Sequence, residues 1–376
     1  MNKIILLYFL LASTILFAAC VKPYNPPALE AKNNYLVVDG FINTGANQVS
    51  TITLTRTKNL TDTVTTLPEP NAAVAIKSND GLIYPLTEIG SGTYQSAALH
   101  LDNAKTYQLL IKTSNGKQYS SDLVTCQQTP AIDSLTWEQQ NDVSIYLYTH
   151  DPSNTAHYYK WDYTETWQYN SELQTIYHVD NHLILIADTS SQIDSCWQSG
   201  VSTDILLGSS VNLSDDVISH AKIAVIPQND ERIYYRYSIL ARQRAITAEA
   251  YKYWEIVEKN SEDRGGIFDL QPGQLEGNIH CISDPTEPVI GFINASAQTE
   301  YRLFIKHNEL QDWMIAGIEC ELIGISQNPV DYRIYNYEDP DYTVYHFASG
   351  GGIVLAKKTC LDCTAHGGIN KRPYYW

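Results

Sequence analysis

The sequence predicts a mainly β protein with an N-terminal Ig-like β-sandwich, followed by a larger β-rich domain with one short helix. Short β-branched or alternating segments, separated by turn signals, follow one another at a density of about seven strands in about ninety residues. Apolar residues recur at helical spacing near residues 248–260. The chain has 376 residues, which is long enough for two domains that each bury a core.

Residues 1–19 have the composition of an export signal. Lys3 is the only charge, an apolar run extends from Ile4 to Phe17, and two alanines precede Cys20. Bacterial lipoprotein signals end in the same way, so Cys20 is the predicted lipid anchor and a membrane is the predicted partner. The alternative is an ordinary cleaved signal, because Phe17 stands where Leu, Val or Ile is usual. The apolar run is too short for a transmembrane helix.

Residues 20–34 are predicted to form a lipidated tether, since they contain three prolines and no periodicity. Residues 35–125 form the predicted Ig-like sandwich. Asn79-Asp80-Gly81 and Ser114-Asn115-Gly116 are hairpin turn signals, because Asn and Gly tolerate positive φ. The strand candidates are Tyr35–Ile42, Ser50–Thr57, Ala73–Lys77 and Tyr107–Lys112.

Residues 126–376 form the predicted larger domain. Its helix is predicted to begin after Thr247, a good N-cap residue, and to pack a stripe that includes Trp254 on a sheet. The chain ends in a Cys-containing tail, whose last three aromatic residues predict that it docks on this domain. The strand candidates are Val143–Thr149, Tyr159–Tyr169 and Ile233–Arg244.

The segment from Tyr159 to Tyr169 places five aromatic rings on one face of a strand. If this face is exposed, Trp161, Tyr163 and Trp167 form a binding platform for a sugar or a peptide. If it is buried, it is the core face of a sandwich strand, which also requires large side chains. The second interpretation is favoured.

Six cysteines follow Cys20, and an even number in an exported protein predicts disulfides, although spacing alone does not choose the pairs. The motif Cys360-x-x-Cys363-x-x-His366 could instead begin a zinc site, but the sequence has no second Cys/His cluster. A disulfide to Cys320, or between Cys360 and Cys363, is therefore favoured. The disulfide candidates are Cys126, Cys196, Cys281, Cys320, Cys360 and Cys363.

Composition and motifs exclude several function classes. The formal net charge is −17 and no Lys/Arg cluster occurs, which argues against nucleic-acid binding. The sequence has no recognisable nucleophile, zinc or phosphate-loop motif, so we expect no catalytic residue, no metal and no cofactor. Asp162 and Glu165 invite comparison with a glycosidase, but the chain has 42 acidic residues, and near pairs arise by chance.

Several segments, in order, resemble domain-of-unknown-function family 4249, lipoproteins common in Bacteroidetes. The resemblance covers nearly the whole chain. Its most specific block consists of Arg236-Tyr-Ser-Ile239, Arg242-Gln243, Glu249-Ala-Tyr-x-Tyr-Trp254, Gly265-Gly-Ile-Phe-Asp269 and Gly277-Asn-Ile279. The other segments are Leu36-Val-Val-Asp-Gly40, Leu54-Thr-Arg-Thr57, Tyr158-Tyr-Lys-Trp161, Glu165-Thr-Trp167, Cys196-Trp197, Val289-Ile-Gly-Phe292 and Cys360-x-x-Cys363.

The resemblance implies an outer-membrane lipoprotein that is often encoded beside a TonB-dependent transporter, and it brings no catalytic residues. We therefore expect a non-enzymatic accessory or binding subunit of such a transporter, with a small ligand, a peptide or a glycan as its cargo. A surface adhesin or structural spacer is the alternative, and a hydrolase with a scattered site ranks below both. The side of the outer membrane on which the protein lies stays open.

Overall fold

The computed structural model describes residues 34–58, 66–180, 183–186, 195–262, 276–315, 317, 319–325 and 341–376. Strands hold 49% of the residues and helices 9%, which confirms the mainly β class. The predicted signal peptide, Cys20 and the tether up to residue 33 lie outside the described residues, as do Gly265 to Asp269. Among the described residues, no helix combines the length and the apolar character that a membrane span requires.

The first domain is built around one large sheet. Its strands are β1 (Leu36–Gly40), β2 (Ile42–Asn43), β3 (Thr51–Arg56), β4 (Leu67–Pro68), β5 (Ala73–Ser78), β6 (Ile83–Gly90), β7 (Thr93–Ser96), β8 (Thr106–Lys112), β9 (Gln118–Ser121), β10 (Val124–Gln127), β20 (Ile279–Cys281) and β21 (Ala295–Ser296). Hydrogen bonds run in the order β1-β3-β7-β6-β5-β8-β10-β21-β2. Because β1 and β2 are consecutive in the chain, this sheet is nearly closed and resembles a barrel.

A later segment of the chain completes the first domain. Strand β20 pairs with β9, and β21 pairs in parallel with both β10 and β2. Ile279, Val289 and Ile293 are buried in the same core as Leu36 and Tyr107. The predicted boundary after residue 125 therefore leaves out part of this domain. Strands of two or three residues carry too little periodicity for the sequence to reveal them.

The second domain contains two facing sheets. Its strands are β11 (Ile132–Gln139), β12 (Val143–His150), β13 (Tyr158–Asn170), β16 (Ser195–Val201), β17 (Leu206–Ser209), β18 (Val217–Ile226), β19 (Arg236–Ala245) and β22 (Thr299–Lys306). The three-stranded sheet has the order β11-β12-β18, and the five-stranded sheet has the order β16-β13-β19-β22, with β17 also paired with β13. Ile145 from the first and Ile239 from the second share one core.

The chain also forms two smaller sheets. A hairpin joins β14 (Tyr177–Asp180) and β15 (Leu183–Ile186), and a three-stranded sheet has the order β23 (Leu322–Ile325), β25 (Ile353–Lys357), β24 (Tyr342–Phe347). The first helix, α1, spans Ala248–Glu262, and a one-turn helix, α2, spans Lys358–Leu361.

Helix α1 confirms the predicted helix and ends two residues later than expected. The hydroxyl of Thr247 accepts a hydrogen bond from the backbone N–H of Ala250 at 3.2 Å, which caps the helix start. The Lys160 ammonium lies 3.3 Å from the centroid of the Trp254 ring. The helix thus covers the outer face of the five-stranded sheet at the start of β13, as the aromatic stripe predicts.

Two disulfides hold the tail, which we define as residues 358–376. Cys196 on β16 bonds to Cys363, and Cys320 bonds to Cys360, so one of the two pairings that the sequence left open is present. Cys360 and Cys363 are not bonded to each other. Since both form disulfides, neither can ligate zinc, and no group of three or more metal-ligand side chains occurs in the part of the chain that the structure describes.

Cys126 and Cys281 are not disulfide-bonded, so this part of the cysteine prediction is wrong. Cys126 lies on β10, beside β8 and β21, whereas Cys281 lies on β20 beyond β9. The strand order keeps them apart. Burial raises the pKa of the Cys126 thiol to about 11, which keeps it protonated at neutral pH.

Candidate functional site

The aromatic face of β13 begins in the core and ends at the surface. Trp161 is 2% exposed, and its indole Nε1 donates a 2.8 Å hydrogen bond to Gln243. Tyr163 is half-buried and packs on the same core. The sheet formed by β11, β12 and β18 covers this end of β13, so Trp161 and Tyr163 do not form an exposed platform.

Trp167 lies at the other end of the same face and lines two cavities of about 180 and 620 Å³. Glu165 beside it accepts hydrogen bonds from Arg232 Nη1 at 2.9 and 3.0 Å and from the Tyr237 hydroxyl at 2.9 Å. Burial and the Glu165 carboxylate raise the pKa of Tyr237. Of the three residues predicted to form a platform, only Trp167 lines these two cavities, as far as the described residues show.

The two acids considered for a glycosidase do not face each other. Asp162 and Glu165 lie on opposite sides of β13, because side chains alternate along a strand. Asp162 instead pairs with Arg242 at 3.1 Å and with Arg244. A glycosidase requires its carboxyl groups on either side of one cleft, and this pair lacks that arrangement.

Ser210, His157 and Asp216 lie together but not in the order of a catalytic triad. The Ser210 hydroxyl donates to Asp216 and lies 3.5 Å from His157 Nδ1. In a triad the histidine lies between the serine and the acid. Asp216 also accepts a 2.5 Å hydrogen bond from Tyr159, and Ser210 is buried. The group forms a buried hydrogen-bond cluster.

A cavity of about 880 Å³ lies on the outer face of the five-stranded sheet. We call it the tail cleft. Strand pairing aligns Trp197, Gln168, Arg236 and Lys306 in one row across four strands. Directly paired residues share a face of the sheet, so the row forms one wall. The other lining residues are Ser195, Tyr234, Tyr235, His307, Asn308, Trp313, Ile315, Arg372 and Trp376.

The tail supplies part of this cleft. The Tyr375 and Thr166 hydroxyls lie 2.9 Å apart, and Trp376 Nε1 donates a 3.0 Å hydrogen bond to Gln168. Ile369 exchanges two backbone hydrogen bonds, of 2.9 and 3.0 Å, with Trp197. These contacts confirm that the aromatic end of the chain docks on the second domain.

Arg236 is the central side chain of the cleft wall. Its guanidinium carbon lies 4.1 Å from the Phe304 ring centroid and 5.2 Å from that of Trp376. Its Nε is buried and has no hydrogen-bond partner in the described structure, and the same holds for Trp197 Nε1. An unpaired buried donor costs about 1–3 kcal/mol, so these two N–H groups make the wall less stable than a fully hydrogen-bonded one.

The charge of the tail cleft contrasts with that of the whole chain. Arg236, Lys306 and Arg372 line it, and no Asp or Glu among the described residues does so. The Arg372 guanidinium already donates to the Trp376 backbone oxygen, so Arg236 and Lys306 are the cations left for a ligand. The adjoining cavities contain Glu165, Glu231 and Asp230 instead. The arrangement can hold an anionic group in the cleft and place rings against its tryptophans.

The sequence did not reveal the cleft residues. The strand candidate Ile233–Arg244 contained Arg236, and alternation alone places it on the face opposite Tyr237. What sequence reasoning missed was the register that brings Arg236 beside Gln168 and Lys306, residues about 70 positions away on either side. The aromatic composition of the tail predicted that Trp376 docks on the second domain, but it did not predict that Trp376 lies beside Arg236.

Comparisons with known proteins give limited further information. A search of curated proteins gave no match. Among solved structures, the Yersinia pseudotuberculosis adhesin InvE shares 15% identity over 56% of this chain, with a TM-score of 0.15. This chain matches 57% of the adhesin chain, and so weak a similarity carries no argument about fold or function.

The family comparison covers most of the chain. The family model described as "Domain of unknown function (DUF4249)" matches residues 21–302. This range includes the whole of the first domain and the strands β11 to β19 of the second. The resemblance noted in the ordered sequence segments is thereby confirmed, and the chain belongs to the DUF4249 family.

Proposed function

We propose that this protein is a non-enzymatic lipoprotein of the bacterial outer membrane and a binding subunit of a TonB-dependent nutrient transporter. Cys20 is its lipid anchor in this proposal, and the tail cleft is its capture site. The observation that carries the proposal is the cleft wall, where the Arg236 and Lys306 cations lie in one row with Gln168 and Trp197. A cavity with a few converging polar groups and several aromatic walls suits ligand binding.

The absence of a recognisable nucleophile, metal motif or facing acid pair in the sequence and the described structure ranks binding above catalysis. The resemblance to outer-membrane lipoproteins encoded beside transporters supports the choice of partner. The adhesion alternative has no feature of its own that favours it over capture.

The test is affinity purification of the full chain from detergent-solubilised envelopes of its native host. We expect a TonB-dependent transporter to co-purify in stoichiometric amount, and mass spectrometry to find the mature N-terminus acylated at Cys20. Cys20→Ser is the matched control, which leaves the folded domains unchanged and removes the lipid. A chain that purifies alone contradicts the partnership, and an N-terminus at another residue contradicts the anchor.

The same strain separates capture from adhesion. Deletion of the gene is expected to slow growth on the transported nutrient and to leave attachment of the cells unchanged. Lost attachment with normal uptake would favour the adhesin alternative.

A further inference from the structure

We infer that the tail cleft binds an acidic saccharide, whose anionic group lies between Arg236 and Lys306. This inference rests on the proposed function in one respect, since it takes the tail cleft as the capture site, and it adds the chemical class of the ligand. Three features of the lining carry it: cations without an acidic partner in the cleft, tryptophan rings at different angles, and neutral hydrogen-bonding side chains.

The cations define the anionic part of the ligand. Arg236 and Lys306 are directly paired across β19 and β22, so their side chains emerge next to each other on the same face. Phe304 and Trp376 pack on the guanidinium, which fixes its plane. A planar, oriented guanidinium matches the two oxygens of a carboxylate or a sulfate. Lys306 is exposed and adds a second positive charge.

The rings define the cyclic part. Trp197 and Trp376 lie with their centroids 6.4 Å apart at an interplanar angle of 81°, so they form two walls of a corner. A tryptophan ring offers a large rigid surface, on which the apolar C–H face of a pyranose can lie.

The neutral polar residues distinguish a saccharide from a purely apolar acid. The cleft also has Gln168, Ser195 and Asn308 in its lining, and these side chains both donate and accept hydrogen bonds. The hydroxyl groups of a sugar do the same. Ser195 already donates to Asn170 Oδ1, and Gln168 Oε1 already accepts from Trp376 Nε1, but the amide N–H groups of Gln168 and the side chain of Asn308 stay available to sugar hydroxyls.

An anionic ligand has to bind in the cleft despite the negative net charge of the protein. A chain of net charge −17 repels anions at long range, and salt screens that repulsion. Contacts at short range with Arg236 and Lys306 are screened less when the ligand covers them. We therefore expect the affinity for an acidic saccharide to depend on these two side chains more than on the electrostatic potential that the net charge creates.

The test is calorimetric titration of the full mature chain carrying Cys20→Ser. The probes are short oligogalacturonates, sulfated chondroitin fragments and neutral galactan oligomers. We expect binding of the oligogalacturonates, the sulfated fragments or both, and at least tenfold weaker binding of the neutral oligomers. The first two probes distinguish a carboxylate from a sulfate as the anionic group.

Variants of the cleft make the result specific. Lys306→Gln, at an exposed position, and Arg236→Gln are each expected to weaken binding roughly 10-fold or more, since a charge-assisted hydrogen bond is lost. Lys222→Gln removes the same charge from an exposed site on β18 and should leave affinity within about twofold. Arg236→Lys, checked by thermal unfolding, keeps the charge and tests the planar guanidinium.

Some outcomes would overturn the inference and leave the proposed function intact. Equal binding of the neutral oligomers, no binding of any acidic probe, or unchanged affinity in Lys306→Gln contradicts the acidic saccharide. Binding of a peptide through the same residues does so as well. The co-purification of a transporter does not depend on any of these results, so the two proposals fail separately.

Discussion

Gly208 on β17 lies directly against the indole ring of Trp161 on β13. A Cβ atom at position 208 would stand 2.0 Å from Trp161 Cη2, so the ring occupies the space that any side chain would need. Gly208→Ala is expected to displace this buried ring and to lower the free energy of unfolding by about 1–3 kcal/mol. The midpoint of urea unfolding, followed by tryptophan fluorescence, measures the effect.

A matched control exists in another strand. Gly324 on β23 has open space where its Cβ would lie, so Gly324→Ala should change stability by less than about 0.5 kcal/mol. Equal midpoints for Gly208→Ala and the wild type would show that Trp161 is not packed as described.

Gln243 satisfies three polar groups in the core of the second domain. Its Oε1 accepts from Trp161 Nε1, and its Nε2 donates to Pro130 O at 3.0 Å and to Thr149 Oγ1 at 2.9 Å. Gln243→Met keeps the volume and leaves the buried Trp161 Nε1 without a partner, whereas Pro130 O and Thr149 Oγ1 keep their bonds with Thr299 and Ala131 O. We expect a loss of about 2–3 kcal/mol in unfolding free energy, measured by denaturant titration.

Gln95→Met is the matched control, because it removes one half-buried hydrogen bond to Thr51. It should lower the unfolding free energy by less than about 1 kcal/mol. An equal loss at both positions would contradict the role described for Gln243.

The disulfides are expected to hold the tail against proteolysis. Cys363→Ser breaks the bond to Cys196 and should destabilise the protein by about 2–4 kcal/mol. It should also speed tryptic cleavage after the exposed Lys371, followed by mass spectrometry, because the tail can then leave the sheet. Cys126→Ser, which removes an unpaired thiol, should change neither result. If the unreduced, denatured chain with Cys20→Ser labels with more or fewer than two thiol equivalents, the assigned pairing is wrong.

Lys160 is expected to make stability depend on pH. Burial, and then repulsion by Arg244, lowers the pKa of its ammonium to about 8, below the value of about 10.4 in an unfolded chain. Between these two values the unfolded state binds more protons, so stability rises as pH increases from about 8. The expected slope is on the order of 1 kcal/mol per pH unit at most.

Urea unfolding at a series of pH values between about 7.5 and 9.5 measures this slope, below the range in which tyrosines with an ordinary pKa of about 10 ionise. Lys160→Met places an uncharged, apolar side chain under Trp254, so the unfolding free energy of this variant should change little with pH over this range. Lys222→Met at an exposed position should leave the slope unchanged. A slope that persists in Lys160→Met would assign the dependence to another group.

The sequence predicts those elements whose pattern is long and local. Alternation over eleven residues located β13, and the Thr247 cap with its aromatic stripe located α1, because both signals depend only on neighbours in the chain. The end of the tail was recognisable from its aromatic composition. None of these required knowledge of distant contacts.

The rest depends on pairings between distant residues. Nothing local distinguishes Cys281, which stays unpaired, from Cys320, which does not, since strand order decides which thiols meet. The aromatic face of β13 could not be divided by pattern into a core end at Trp161 and a surface end at Trp167, because the covering sheet comes from elsewhere in the chain. The cleft row depends in the same way on the register of four strands.

The return of the chain to its first domain has a consequence for the order in which the protein can fold. The ribosome makes the chain from its N-terminus, so residues 35–127 are complete long before β20 and β21 are synthesised. Until those strands are made, β9 and β10 present unpaired backbone edges to neighbouring chains. Folding of the first domain therefore has to wait for the second to be synthesised, and a fragment that stops at residue 127 would be expected to aggregate rather than fold alone.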